Sequence, residues 1–288
     1  MPIFTPWKNG RYETSPGLKP LGTDFGNGHW DNCVFILDET APRRIAAKRE
    51  SLKERESKYR QVHHLRTQVA EAAANVIQQR LALDAPHVDL PTRSTPIDRL
   101  DAYALHIPED LAIVAVENGI DWLAYTHLCA PSHWSPEEKI GKSFTAVHQP
   151  VPGFEKTANV AQKMIETMTQ RGPFVRFVWG MESDDRPNHH PVAPQGVDQD
   201  EWWGRRFSEE GRFLVRVERQ CLIPLPSVNA ALFTIRLFWW TMEEVRATPE
   251  LRLPLLQALN GMSPQEQSYK GIAGRLPEIV HLLEPPNA

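Results

Sequence analysis

The chain predicts an α+β fold, with an antiparallel sheet in its middle and helices before and after. Three patterns carry that expectation. Residues 110–129 hold two strand-length apolar or alternating runs joined by Asn118-Gly119, a dipeptide suited to a tight hairpin turn. Three more such runs fall at 174–182, 213–223 and 230–240. Helical periodicity dominates the two flanks, at 42–83 and 242–283.

In chain order, residues 1–40 are rich in Gly, Pro and aromatics, an irregular lead-in anchored by Trp7 and Trp30. Residues 42–83 read as one long helix or two broken ones, with Ile45, Leu52, Tyr59, Val62, Val69, Val76 and Ile77 along one face. Its first half also carries Arg43, Arg44, Lys48, Arg49, Lys53, Arg55, Lys58 and Arg60. The plain reading of this basic stretch, residues 43–60, is a solvated face; the sharper one is a docking surface for an acidic partner. Residues 84–97 are a proline-punctuated linker.

After the hairpin, Ser135-Pro-Glu-Glu predicts a helix with Ser135 as N-cap, Pro136 at the first position and Glu138 closing a capping box. A second helix spans 153–171 and stops at Gly172-Pro173. Residues 184–211 form a polar insertion holding His189, His190, Trp202 and Trp203. Helices at 242–247, 248–260 and 263–283 close the chain. The expected organisation is a lead-in and basic helix at 1–97, a core at 98–245 and terminal helices at 246–288, together one compact unit.

The 288 residues suit one large domain or two small ones, since a domain averages about 150 residues. A hydrophobic fraction of 41% and a charged fraction of 24% are those of an ordinary globular protein. The net charge of −4 argues against wholesale nucleic-acid binding. No run approaches the roughly 18 apolar residues of a membrane span, and the start lacks the apolar segment of a secretory signal. Cys33, Cys129 and Cys221 are few, odd in number and far apart, as suits free thiols in a reducing cytoplasm.

Common catalytic signatures are missing. Ile140-Gly-Lys-Ser143 lacks the glycine a phosphate loop needs five residues before Gly141, where Pro136 stands. There is no Gly-x-Gly-x-x-Gly after a strand, no His-Glu-x-x-His and no Gly-x-Ser-x-Gly. His63-His64 and His189-His190 are adjacent pairs whose side chains diverge, and both read as surface histidines. His148 stands out instead. It ends a short helix-like run, and Pro150 and Pro152 stiffen the backbone beyond it, which suits a ring that must present one nitrogen at a fixed point.

Six segments together resemble the haem-dependent oxidative N-demethylase α-subunit family. They are Pro108-Glu-Asp-Leu-Ala-Ile-Val114, Leu128-Cys-Ala-Pro-Ser-His-Trp-Ser-Pro-Glu-Glu-Lys-Ile-Gly141, Val147-His-Gln-Pro-Val-Pro152, Val175-Arg-Phe-Val-Trp179, Val215-Arg-Val-Glu-Arg-Gln-Cys-Leu222 and Leu232-Phe-Thr-Ile-Arg236. The resemblance covers residues 98–245 well and the flanks loosely. It implies a PAS-like antiparallel sheet enclosing haem b, with additional N- and C-terminal helices, and His148 as axial iron ligand. The absence of Cys-x-x-Cys-His agrees with haem held without thioether links.

Haem propionates need cations, and Arg176, Arg216, Arg219 and Arg236 lie on expected strands. Alternation places Arg216 and Arg219 on opposite faces unless a bulge intervenes, and a structural pair with Glu218 or another carboxylate is the plainer role for each. Trp179, with Trp239 and Trp240, would wall the pocket. Glu182 is the best placed acid or ammonium anchor, with Asp184 and Asp185 as alternates, although loop acids are more often simply solvated. After Trp179 the match to the family is loose, which leaves the substrate open.

The resemblance implies N-demethylation of an amine with O2, the electrons coming from NADPH through a separate flavin/iron–sulfur reductase that would dock on helix 43–60. N-hydroxylation of an amine or guanidine group is the alternative chemistry. A substrate-free haem-PAS gas or redox sensor is the alternative outside enzymology, against which stands the lack of an output-domain signature. Neither nucleic acid nor membrane is an expected partner.

Overall fold

The computed structural model describes residues 4–13, 17–154, 160–203 and 213–284. The strands are β1 (Lys19–Pro20), β2 (Arg60–Val62), β3 (Asp110–Glu117), β4 (Ile120–His127), β5 (Phe174–Glu182), β6 (Leu214–Leu225) and β7 (Ala230–Thr241). Among the described residues they form one antiparallel sheet in the order β1-β5-β6-β7-β3-β4-β2. The α+β class is as expected. Asn118 and Gly119 both take left-handed backbone (φ 51° and 78°), the turn that matches the twist of β3 and β4. Strands β6 and β7 pair along their whole length, from Leu214↔Thr241 to Leu225↔Ala230.

The helices depart from expectation in several places. The basic stretch is helix α1 (Ala41–Tyr59), which ends in β2 before α2 (Thr67–Asp84) begins. Extended backbone at Arg55 (φ −165°, ψ 96°) already breaks α1. Its buried face is not the apolar stripe: Ile45 and Leu52 are half-buried, whereas Arg44, Lys48, Ser51 and Lys58 are buried. These cations are inside because carbonyls meet them. Lys48 Nζ donates to Ala104 O, Ile107 O and Glu109 O, and Lys58 Nζ to Glu54, Val192 O and Ala193 O. Of the eight cations, Arg43, Arg49, Lys53 and Arg55 remain exposed, among exposed Glu50 and Glu56.

Helix α3 (Pro96–Ala104) follows the linker where no helix was expected, although Thr95 Oγ1 accepts from Asp98 N and Pro96 opens the first turn. The turn after Ser135, α4 (Pro136–Lys139), lacks the expected capping bond. Ser143 does cap α5 (Phe144–His148), through Ala146 N. Helix α6 (Ala161–Gln170) is shorter than the expected 153–171, part of which lies outside the described residues. After α7 (Gln199–Trp203) and the last strands come α8 (Met242–Ala247), α9 (Pro249–Asn260), α10 (Pro264–Tyr269) and α11 (Leu276–Leu283). The single terminal helix expected at 263–283 is thus two, parted by a link with left-handed Gly271 and Gly274 (φ 65° and 75°).

Strand alternation gives the sheet two different faces. On one, Val215, Val217, Cys221 and Ile223 of β6 join two apolar cores, the first with α2 and α3, the second with the N-terminal segment and the last helices. Trp7 is fully buried in the second core, its indole donating to Leu251 O, and Trp30 packs against it. Both act as the expected anchors. On the other face, Arg216, Glu218, Gln220 and Leu222 look toward a cavity.

Candidate active site

The cavity, about 860 Å³, lies between this second face and the segment running from Ser132 to Phe154, with α6 at one side. That volume is at the upper end of small-molecule and cofactor sites. Apolar side chains including Val114, Leu123, Val147, Met164, Met168 and Phe233 line much of it. Among these walls stand a few polar groups.

His148, the last residue of α5, is one of them. Phe144 N donates to Asp121 Oδ2 at 2.5 Å and fixes the start of the helix. One turn on, His148 Nδ1–H donates to Phe144 O at 2.8 Å, which leaves Nε2 as the ring's lone-pair nitrogen. Its ring packs against both Phe144 and Phe154, at centroid distances of 4.2 and 5.9 Å. Burial drives its pKa down to about 4, and Arg176 and Lys139 add to this against the opposing Phe144 carbonyl. The imidazole is therefore neutral near pH 7. A tethered, neutral imidazole on an apolar cavity is the state in which histidine binds a metal, its other N–H held by a carbonyl.

Arg176 on β5 also lines the cavity. Its buried Nε has no hydrogen-bond partner among the described residues. Burial lowers its pKa, and Glu218 is the main opposing charge. Across the strand pair, Arg216, Glu218 and Gln220 stand in register on the cavity floor. Glu218 Oε1 accepts from Arg216 Nε and Nη2 (3.2 and 3.1 Å), and Oε2 accepts from Gln220 Nε2 (3.0 Å). Arg216 also donates to Pro187 O (2.7 Å) and Ala130 O (2.5 Å), so its charge is largely spoken for by protein.

Glu182, at the end of β5, borders the cavity and is 2% exposed. His133 Nε2 lies 3.1 and 3.0 Å from its two oxygens. His189 Nε2 lies 3.8 Å from Glu182 Oε2 and 3.2 Å from Asp184 Oδ1. Asp184 itself does not line the cavity. Burial works to raise its pKa, but hydrogen bonds from His189 and Arg186 prevail and hold it well below the usual carboxylate range.

Of the residues singled out in the sequence, His148, Arg176, Trp179, Glu182 and Arg216 meet at this cavity. Trp179 borders it, but its ring packs against Trp7 and Tyr12 (5.7 and 5.4 Å) in the second core. Arg219 and Arg236 lie on the opposite face. Arg219 donates to Cys33 O (2.7 Å) and Arg236 to Asp38 Oδ1 (2.7 Å), Thr40 Oγ1 and Ile36 O. No bulge separates Arg216 from Arg219 in either pairing of β6, so alternation holds. Trp239 and Trp240 are absent from the cavity lining, where Trp179 is joined by Tyr12, Trp134, Phe144, Phe154, Phe233 and Tyr269.

The pair His189-His190 is a correction: both are buried, at 2% and 1% exposure, whereas His63 and His64 are exposed as expected. His189 and His190 do diverge, one toward Asp184 and the other toward Glu137 at 3.1 Å. Carboxylate partners make the burial tolerable. The residues missed in sequence are His133, Lys139 and His189. Glu218 is, as expected, the carboxylate paired with a strand arginine, here Arg216, because a spacing of two in a strand puts both on one face with Gln220.

The chain matches the family model described as haem-dependent oxidative N-demethylase, alpha subunit-like, over residues 27–278. It belongs to that family. Membership makes a haem-dependent oxidative enzyme of the N-demethylase type the coarse description of this protein, and "alpha subunit" accords with a partner protein. The cavity fits the implied cofactor on two independent counts. His148 offers a neutral, tethered imidazole, and Arg176 offers a cation with an orphaned Nε for an anionic edge. No helix among the described residues is long and apolar enough to cross a membrane.

Proposed function

We propose that this chain is a haem-b monooxygenase that removes a methyl group from an amine, taking O2 and electrons that reach it from NADPH through a separate flavin/iron–sulfur reductase. The observation that carries the reading is His148, held at Nδ1 and lining a large apolar cavity. The order of the five long strands, β4-β3-β7-β6-β5, sets the first and last of them side by side and supports a PAS-like sheet around the cofactor. When bound, the haem supplies the iron at which O2 is activated.

The protein's own residues do the rest. His148 Nε2 would ligate the iron. Arg176, with Lys139 and Lys142 at the rim near His148, would meet the propionates; Arg216 supports the floor through its carbonyl and Glu218 bonds. The apolar lining excludes water, so charges inside act at short range with little screening. Glu182 is the group that anchors a substrate ammonium or delivers a proton, and Asp184 holds the histidine behind it. Demethylation of an N-methyl amine consumes O2, two electrons and two protons and yields the shorter amine, formaldehyde and water. The reductase would meet the exposed Arg49 and Lys53 of α1 rather than the whole basic stretch, and a cytoplasmic location fits three free, buried cysteines.

The test is spectroscopic first. Purified protein titrated with haem should develop a Soret band that His148→Ala lacks or shifts to an unligated form; a wild type that takes up no haem refutes the reading. Reduced haem protein given O2 and a panel of N-methyl amines should then release formaldehyde. An oxygenated product without formaldehyde would show N-hydroxylation instead.

A further inference from the structure

Two stacked imidazoles stand behind Glu182, and both belong to loops. The rings of His133 and His189 lie 5.2 Å apart at 29°. The loop after β4 and the loop after β5 are tied together by a parallel bridge between Ser132 and His189, by His133 N donating to His189 O (2.8 Å) and by His189 N donating to Pro131 O (3.0 Å). His133 takes left-handed backbone (φ 59°), a region that few residues other than glycine adopt, although histidine enters it more readily than most. The two tied loops hold His133 against the Glu182 carboxylate.

The trio His133, Glu182 and His189 has donor atoms within 4.8 Å of one another, a spacing that a metal ion would also accept. The surroundings speak against an ion. Arg216 Nη1 faces His189 Nδ1 at 3.5 Å, which puts a cation beside the site and assigns that nitrogen as acceptor. The His189 proton is then on Nε2, directed to Asp184 Oδ1, and no lone pair is left there for a metal. His189 is 2% exposed and locked between Arg216 and Asp184, which in turn is held by Arg186. His133 differs: its side chain is 16% exposed, and Trp203 lies beside it at 6.2 Å. It touches Glu182, and part of its side chain is exposed.

We infer that His133 and Glu182 form a proton-input unit for the cavity, with His189, stacked on His133 and bonded to its backbone, as the positioning residue that fixes His133. Glu182 gives its carboxyl proton to the oxygen being reduced in the cavity and becomes a carboxylate. His133, carrying protons on both ring nitrogens, then transfers its Nε2 proton to a Glu182 oxygen and becomes neutral, and a proton from bulk solvent restores it. Electrons are those of the reductase named above, so each proton entering matches one electron. Among the described residues, the charged and titratable groups facing the unit are Asp184, Arg186, His189 and Arg216.

The inference rests on the haem reading, and its test separates the two. The midpoint potential of the haem-loaded protein is measured against pH in the wild type, His133→Gln, Glu182→Gln and the exposed control His64→Gln. The wild type and H64Q should lose close to a tenfold factor in reduction equilibrium per pH unit, about 59 mV, over the range where the unit titrates. H133Q and E182Q should flatten that slope. An unaltered slope in H133Q, or none in the wild type, overturns the inference while leaving the haem reading intact. In the haem-free protein, infrared pH-difference spectra should show a protonated-carboxyl band that E182Q removes and H133Q moves in pH; a band indifferent to H133Q also overturns it. So does stoichiometric zinc in purified protein that H133Q loses.

Discussion

Arg236 on one face of the sheet and Arg176 on the other are held in opposite ways. On the core face Arg236 is saturated: it donates to Asp38, Thr40, Ile36 O and Leu237 O and lies 3.9 Å from Glu109. On the cavity face, Arg176 keeps a buried Nε without a partner. A buried charge is tolerable when the protein solvates it and costly when it does not. Arg236 therefore holds the fold together, whereas Arg176, alone among the described arginines with an orphaned Nε in lining the cavity, is the one proposed to meet a bound anion.

The contrast breaks most visibly at Arg236. Arg236→Met should cost about 3–5 kcal/mol in urea unfolding, because Asp38 and Glu109 would stay buried without their cation. A loss below about 1 kcal/mol would mean that the core-face arginines are not structural in this sense. Glu109 sharpens the same point through pH. Burial pushes its pKa up to about 7, against Arg236 and the Ile36 amide. A carboxyl with a raised folded pKa takes up protons on folding, so its contribution is full below the unfolded value near 4.5 and is lost as pH rises through about 7. Stability should fall by up to roughly 3 kcal/mol across that window, and Glu109→Gln should flatten the fall.

Arg176 should behave in the reverse manner. Arg176→Gln should leave stability unchanged or raise it by about 1 kcal/mol, since an unsatisfied buried donor disappears. Haem affinity should drop about tenfold, roughly 1.4 kcal/mol, while haem dimethyl ester, which lacks the propionate charges, should bind both proteins equally. A variant that loses stability instead would place Arg176 with the structural arginines. The smallest effect belongs to the surface. Reversing Arg49 and Lys53 to Glu should slow reductase-driven turnover a few-fold at low salt and not at high salt, with haem uptake unaltered.

Much of the sheet was legible, because a period of two with a turn dipeptide is a local signal: the Asn118-Gly119 hairpin and the three later strands lie where that pattern puts them. Helix α3 was readable in principle, from Thr95, Pro96 and Asp98, but is short and followed a proline-rich linker. The buried face of α1 was not readable. Lysine and arginine count as surface residues until carbonyls from distant segments, here Ala104, Ile107 and Val192, are brought against them. His189 failed for the same reason, its partners Asp184 and Arg216 coming from a loop and another strand.

By itself the sequence determined the α+β class, the alternation that splits Arg216 from Arg219, the stiffened exit from His148 and membership of a haem-dependent family. Those are properties of neighbouring residues or of ordered motifs. Only the tertiary structure decided that Arg176 opens onto the cavity while Arg219 and Arg236 are spent on the core, and that His133 and His189 close on Glu182. Alternation tells which residues share a face but not which face a cavity will occupy. That is settled by which helices and loops, far apart in the chain, cover each side.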